Sequence, residues 1–410
     1  MLSEKEILAN LINLGQAITQ IKDVDILLER ILTESRRFVN ADAGSIYIKT
    51  NDTLLFSYAQ NATLQAKLPQ GKKLIYSSFS IPVNNKSIAG YVANTGKTVN
   101  IADVYCLPDT VPFSFDKQFD EVTKYRSKSI LAFPFKNPEN EILGVLQLIN
   151  AKSHDGSIVP FHEEDEPFIM HFANTAAIAL ERAQMTRAII LRMLRMAEMR
   201  DPKETGAHVN RVGAFSSEIY QAWATKKGVS GEEIDKTRDL LRMAAMLHDV
   251  GKVAISDVIL KKPARLDIDE FEIMKEHTFL GAKLFADPRS DFDEAAFHIA
   301  LEHHERWDGN GYPGNVVFDK DASTNEFLVT VQNEHKKSGA GIHIFARIVA
   351  VADVYDALCS RRCYKEAWDD DHVFKNMKEE SGKHFDPDVI DAFFEVSDVL
   401  NNIRRQFPDE

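Results

Sequence analysis

The spacing of apolar residues changes period several times along the chain, and each change predicts an element. Over residues 3–38 the period is helical: Ile26, Leu27, Ile31 and Leu32 recur on one face after Asp23, and Ser3 with Glu6 has the spacing of a capping box. From Ala43 the runs shorten. SIYIK (45–49), LLFSYA (54–59), KTVNI (97–101), SILAFPF (129–135) and ILGVLQLIN (142–150) are rich in β-branched and aromatic residues and bounded by Asn, Gly, Pro and Asp. They predict a twisted antiparallel sheet with flanking helices. Ser87–Asp103 reads as a short helix, a Gly turn and a strand, an element suited to a lid. From Glu164 to Met199 the pattern is helical again, with Ile169, Phe172, Ala176, Ala179, Ala183, Thr186, Ile190 and Met193 spaced alternately three and four apart. Such a seam serves either to pair two chains along a signalling helix or to pack a helix on its own domain.

Beyond residue 200 the runs LLRMAAML and IVAVADVYDAL predict buried helices. One stretch departs from this, VVFDKDASTNEFLVTVQNEHKKSGAGIHIF, whose alternation and Gly-Ala-Gly break predict a β-hairpin insertion at about 315–345. The expected organisation is an N-terminal α+β domain over 1–165, a connecting helix over 166–199 and an all-α domain over 200–410. A chain of 410 residues is long enough for two or three cores.

Composition narrows the class. With 44% hydrophobic and 27% charged residues, the chain has the makeup of a globular protein without a large disordered part. A formal net charge of −13 argues against a nucleic-acid partner, and any phosphate-bearing substrate needs a local positive site. The three cysteines, Cys106, Cys359 and Cys363, form no CxxC pair, as expected of reduced thiols in the cytoplasm. The opening MLSEKE does not read as a signal peptide, and no window is apolar enough to predict a membrane span.

Chemistry concentrates in the second half. HHERWDGNGYP (303–313) sets His303 and His304 side by side before a run of turn formers that holds Tyr312 near them. Glu204 and His208 are four apart, so a helix presents both on one face. HDVGK places His248, Asp249 and Lys252 after an apolar helical run, where an adjacent His and Asp are costly to bury without partners. His277 lies in KEHTFLGAKLF, and Asp353 ends an apolar helical run. Five histidines and three carboxylates suit iron, manganese or another first-row divalent ion, and their number implies two or three metals. Asp249 and Asp353, each with two oxygens, are the natural bridging groups. The remaining histidines, such as His154, His298 and His384, are expected to have surface or hydrogen-bonded roles.

Two resemblances follow from these residues. Over about the first 180 residues, SIAGYVANTGKTVNIAD, SILAFPF and ILGVLQLINAK resemble the lid and core strands of a GAF domain. Asn150, Phe161, Asp165 and Glu166 resemble the signature of cyclic-nucleotide-binding GAF domains, although Ala151 stands where that signature has lysine and Lys152 is one place late. Those residues either serve a GAF ligand or simply open the next helix. From Asp201 to Phe394, the ordered pieces HDVGK, KEH, HHERWDGNGYPG, RIVAVADVYDAL, RRCYKEA and SGKHFDP resemble the HD-GYP family of bacterial cyclic di-GMP phosphodiesterases.

That resemblance implies that His208, His248, Asp249, His277, His303, His304 and Asp353 bind metal, iron foremost with manganese as the alternative. It associates Glu204 with three metals instead of two. Lys252, Arg362 and Lys365 match positions near the substrate phosphates, and Tyr312 matches the tyrosine near the site. The implied reaction is hydrolysis of cyclic di-GMP to linear pGpG and onward to GMP, under control of the GAF domain; the homodimer paired through the connecting helix is expected from that helix's seam. Three rivals stand beside it: a phosphodiesterase for cyclic GMP-AMP, a receptor acting through partner contacts, and an iron-dependent HD oxygenase. The insertion is either a tolerated surface segment, a flap over the substrate cleft or a contact with the GAF domain.

Overall fold

The computed structural model describes residues 15, 18–69, 73–76, 79–198, 206–321, 324, 326–332, 336–360 and 368–408. Glu204, Arg362, Lys365 and the Ser3–Glu6 capping box lie outside these residues. Two compact units divide between Arg187 and Ala188.

In the first unit, helix α1 (Val24–Phe38) begins where the Asp23 carboxylate accepts the N–H groups of Asp25 and Ile26. Its buried face, Leu27, Leu28, Ile31 and Leu32, covers a fully antiparallel sheet. The strands are β1 (Ala41–Thr50), β2 (Thr53–Asn61), β3 (Ser80–Pro82), β4 (Val99–Ile101), β5 (Ile130–Lys136), β6 (Ile142–Lys152) and β7 (Ile158–Val159). Their order is β3-β2-β1-β6-β5-β4, with β7 on β6. Strand β5 is buried on both faces because helices or loops cover each side, which is why SILAFPF reads as a continuous apolar run and not an alternating one. The lid segment forms as the pattern predicts: the Ser87 hydroxyl caps α2 (Ile88–Thr95), Gly96 ends it at φ +65°, and β4 follows.

The long helix α3 spans Glu166–Glu198. Ile169, Phe172, Ala176, Ala179 and Ala183 are buried in the same core as Leu27 and Phe133, so most of the predicted seam packs on its own domain. Apart from those buried residues the helix is open at Ile178, Met185, Ile189 and the last seam residue, Met193, which are 51%, 66%, 45% and 54% exposed.

The residues of the nucleotide signature are engaged inside this unit. Asn150, fully buried at φ +59°, ties Lys128 N, Arg126 O and Tyr125 Oη together. The Lys152 ammonium pairs with Asp42, Phe161 is in the core, and Glu166 accepts from Asn100 Nδ2 at 2.8 Å. Burial raises the Asp165 carboxyl above its ordinary range.

The second unit is helical, with one β-hairpin. Its principal helices are α4 (Gly206–Lys226), α5 (Gly231–Ala245), α6 (Ile268–Lys275), α7 (His277–Lys283), α8 (Asp291–Glu302), α9 (Ile344–Cys359), α10 (Asp370–Glu379), α11 (Pro387–Glu395) and α12 (Ser397–Gln406). Phe215, Leu241, Ile299, Val349, Tyr355 and Phe393 form its core. The insertion is the predicted hairpin, β8 (Asn315–Lys320) paired antiparallel with β9 (Phe327–Gln332). Among the described residues, no helix is long and apolar enough to cross a membrane.

Candidate metal centre

Five helices bring ligand-type residues to one place. Helix α5 buries Leu241, Ala244 and Ala245, and just past its end the chain delivers His248 and Asp249 into a tight turn, Val250–Ala254. Gly251 in that turn is required: a Cβ there would lie 1.9 Å from the carbonyl oxygen of His277, so only glycine lets α7 start against Asp249. The end of α8 supplies His303 and His304, α4 supplies His208, and α9 supplies Asp353.

The ligand-type atoms gather in two groups. Asp249, His277, His303 and His304 form one, and His208, His248 and Asp353 the other, each with its atoms within 4.8 Å of one another. Asp249 stands between them. Its Oδ1 is 3.1 Å from His277 Nε2 and 3.5 Å from His303 Nε2, while its Oδ2 is 3.2 Å from His248 Nε2. In the second group His208 Nε2 is 3.7 Å from Asp353 Oδ1.

These atoms fit a metal for reasons visible in the surroundings. Nδ1 of His277 faces Met274 O at 2.7 Å, that of His248 faces Ala245 O at 2.9 Å, and that of His303 faces Ile299 O at 3.0 Å. Each backbone carbonyl calls for N–H at Nδ1 and so leaves the Nε2 lone pair turned to the centre. His208 is oriented by a carboxylate instead: its Nδ1 is 2.8 Å from Asp356 Oδ2, and Arg211 holds Asp356 through two bonds of 2.6 and 2.9 Å. Asp249 Oδ1 is buried yet accepts no aligned hydrogen bond, which is the state of a ligand atom, not of a hydrogen-bond acceptor.

Electrostatics agree with this donor set. Burial alone would raise the Asp249 carboxyl, but Lys252, 2.7 Å from Oδ2, together with His248 and His277, holds it well below its ordinary value. Burial lowers His303 and His304, and neighbouring imidazoles lower His304 further, so both are neutral and able to donate a lone pair. Burial also raises the Glu305 carboxyl to about 7, against the pull of the Gly314 N–H.

The turn after the histidines is built to hold one ring. Tyr312 N–H donates to His304 O at 3.2 Å, and its ring lies 4.8 Å from that of His304. Gly311 has no alternative, since a Cβ there would be 2.3 Å from Arg306 N. Trp307 N and Asp308 N donate to His384 O and Lys383 O, which fastens the loop to the segment SGKHFDP.

Of the residues singled out in the sequence, seven lie in the two groups, and Lys252 and Tyr312 lie against the first of them. Asp356 and Arg211 were missed. Their signal was present, since each follows a ligand-type residue, Asp353 or His208, by three positions on one helix.

Comparison with known proteins assigns both units. The HD domain family matches residues 205–358, with a second HD domain match over 332–389, and the GAF domain family matches residues 23–180. The chain joins a GAF domain to an HD domain. Its HD half is similar to a cyclic di-GMP phosphodiesterase of Vibrio cholerae, 37% identical over 225 residues, covering 54% of this chain and 41% of that protein. It is similar to the cyclic di-GMP phosphodiesterase response regulator RpfG of Xanthomonas campestris pv. campestris, 37% identical over 227 residues, 55% of this chain and 52% of that one. A 3'3'-cGAMP-specific phosphodiesterase 2 of Vibrio cholerae is 32% identical over 232 residues, 57% of this chain and 39% of that one. The chain thus spans about two-fifths to one-half of the length of these relatives.

Proposed function

We propose that this chain is a metal-dependent phosphodiesterase that opens cyclic di-GMP to linear pGpG, with GMP as the product of a second cut. The observation that carries this reading is Asp249, whose two oxygens face imidazole nitrogens of both groups, turned inward to the centre. Ions bound there supply what a phosphodiester needs, a water acidified near neutral pH and neutralisation of the phosphate charge. Iron is the first expectation for a site of imidazoles and carboxylates, and manganese the second.

The chain's own groups do the rest. The Lys252 ammonium, partly exposed at the edge of the first group, faces a phosphate oxygen and holds the proton that the departing 3'-oxygen needs. Tyr312 and the buried carbonyl-bound imidazoles keep the site rigid, so that little reorganisation accompanies the reaction. Arg362 and Lys365 are proposed to meet the second phosphate, the arginine through its planar fork. Glu204 is proposed as a ligand that raises the metal count from two to three. The GAF domain of residues 1–165 is proposed to regulate the HD domain through the 166–199 helix, on binding a ligand of unidentified chemistry.

Cyclic GMP-AMP is the second reading, because a relative named as specific for it matches as long a stretch of the chain as the cyclic di-GMP enzymes do. The test is anaerobic reconstitution with iron or manganese, followed by product analysis on both dinucleotides. Linear pGpG from cyclic di-GMP is expected; failure to cleave either dinucleotide under all metal conditions overturns the reading.

A further inference from the structure

The insertion is fixed to the HD domain at β8 and again at residues 336–339. Val316 and Phe318 of β8 pack on Phe297, Ala300 and Leu301 of α8, with the Phe297 and Phe318 rings edge to face at 5.1 Å. On the return, Lys336 Nζ donates to Asn310 Oδ1 at 3.3 Å, Lys337 Nζ to buried Glu302 at 2.7 Å, and Gly339 N to Trp307 O at 3.0 Å. Two of these bonds end on the 303–313 loop that carries His303 and His304, and the third on Glu302, the residue just before it. The hairpin is therefore a wall and not a free flap.

What it walls is a groove of about 450 Å³, between the insertion on one side and α6 with the start of α7 on the other. Val331, Gln332 and Lys336 come from the insertion, Tyr312 from the loop, and Glu276 and Phe279 from the opposite side. The volume falls within the roughly 300–1,000 Å³ of small-molecule sites. Tyr312 is the shared partition: it lines the groove and lies 4.8 Å from the ligand-type ring of His304. Tyr312 is thus the residue through which the groove adjoins the metal centre.

We propose that the groove is a subsite for one purine nucleoside of the dinucleotide, with the insertion forming its outer wall. This rests on the phosphodiesterase reading above and adds to it the place of one base. The lining matches the ligand in kind. Apolar and aromatic side chains meet the purine faces, Lys336 meets the sugar-phosphate, and the exposed carboxylate of Glu276 can accept from two adjacent donors at once. Guanine presents such a pair, N1–H and the exocyclic amine, whereas adenine presents an acceptor at N1. The groove accordingly selects guanine.

The test compares kcat/KM for cyclic di-GMP and for bis(p-nitrophenyl) phosphate, a diester without a nucleoside, in wild type, Lys336→Ala, Glu276→Gln and a chain with residues 316–332 replaced by a short Gly-Ser link. Calorimetric binding of cyclic di-GMP to the metal-stripped proteins gives a second readout. Each point variant is expected to lower the ratio of the two kcat/KM values and the binding constant about tenfold, the loss of one charged hydrogen bond. The hairpin replacement lowers both further, and Glu276→Gln weakens the preference for cyclic di-GMP over cyclic di-AMP. Unmoved ratios and binding in the variants overturn the subsite, as does an equal fall on both substrates with a lower Tm, which marks a scaffold only. A wild-type chain that cleaves the simple diester but neither binds nor cleaves a cyclic dinucleotide overturns the underlying function instead.

Discussion

Asp356→Asn separates the two ligand groups experimentally. Asp356 is 1% exposed and accepts from Arg211 through both oxygens, at 2.6 and 2.9 Å, while Oδ2 also meets His208 Nδ1 at 2.8 Å. An asparagine has one acceptor oxygen and one NH2 group: with its oxygen at the Oδ2 position the NH2 meets the Arg211 Nε donor, and with its oxygen at the Oδ1 position the NH2 meets His208 Nδ1 and Arg211 Nη2, so either way a donor faces a donor and the hold on His208 weakens. Loss of such a supporting carboxylate costs about 10–100-fold in metal affinity, or about 1.4–2.7 kcal/mol. The effect should fall on the group of His208, His248 and Asp353. The other group is oriented by the carbonyls of Met274 and Ile299 and does not depend on Asp356. Arg211 keeps its bonds to Phe407 O and Ser360 Oγ, so the stability cost should sit near the low end of a broken buried pair, ~3 kcal/mol. Metal titration against a chelator of known affinity should show one tight ion retained and one weakened. Two unweakened ions, or loss of both together, would refute the division of the site into two groups.

Three further outcomes are expected. Lys252→Ala should leave metal content intact and slow kcat for cyclic di-GMP by ~10²–10⁴-fold, the usual scale for a lost proton donor, as followed by product formation. His343 is held by burial and by neighbouring His298 at a pKa of about 4, below its ordinary 6.5, so the folded chain refuses a proton that the unfolded chain takes. Its effect on stability is absent above pH 6.5 and becomes a loss as pH falls towards 4; His343→Gln should recover ~2 kcal/mol of that loss in urea unfolding at pH 4.5 compared with pH 7, allowing for partial exposure. Finally, the open face of α3, with Ile178, Met185, Ile189 and Met193 at spacings of seven, four and four, is where two chains are proposed to pair. Met185→Glu with Ile189→Glu should give a monomer by light scattering if that face holds the dimer.

Much of this architecture is written in local patterns. The strands of the GAF sheet stand out because β-branched and aromatic runs between turn residues have few other uses. The ligand-type residues stand out because His and Asp beside apolar helical runs are costly without partners, and HDVGK and HHERWDGNGYP both place them there. Less legible was anything that depends on which surfaces meet. The period of Ile169, Phe172, Ala176 and Ala179 says that this face is buried, not what buries it, and the answer is the domain's own core of helix α1 and sheet residues. Asp356 and Arg211 look like ordinary helix charges until α4 and α9 come together. The insertion alternates as a hairpin does, but its docking on α8 depends on Phe297 and Phe318, 21 positions apart by number and in contact only after folding.

If Asp249 joins two ion sites that cut a phosphodiester, metal binding and cleavage both depend on this one carboxylate. The most direct test is to count metal per chain and measure cyclic di-GMP cleavage in the same anaerobic samples of wild type and Asp249→Ala. The expected result is at least two ions and linear pGpG for the wild type, with metal and activity lost together in the variant. A variant that keeps both its metal and its turnover would contradict the assignment.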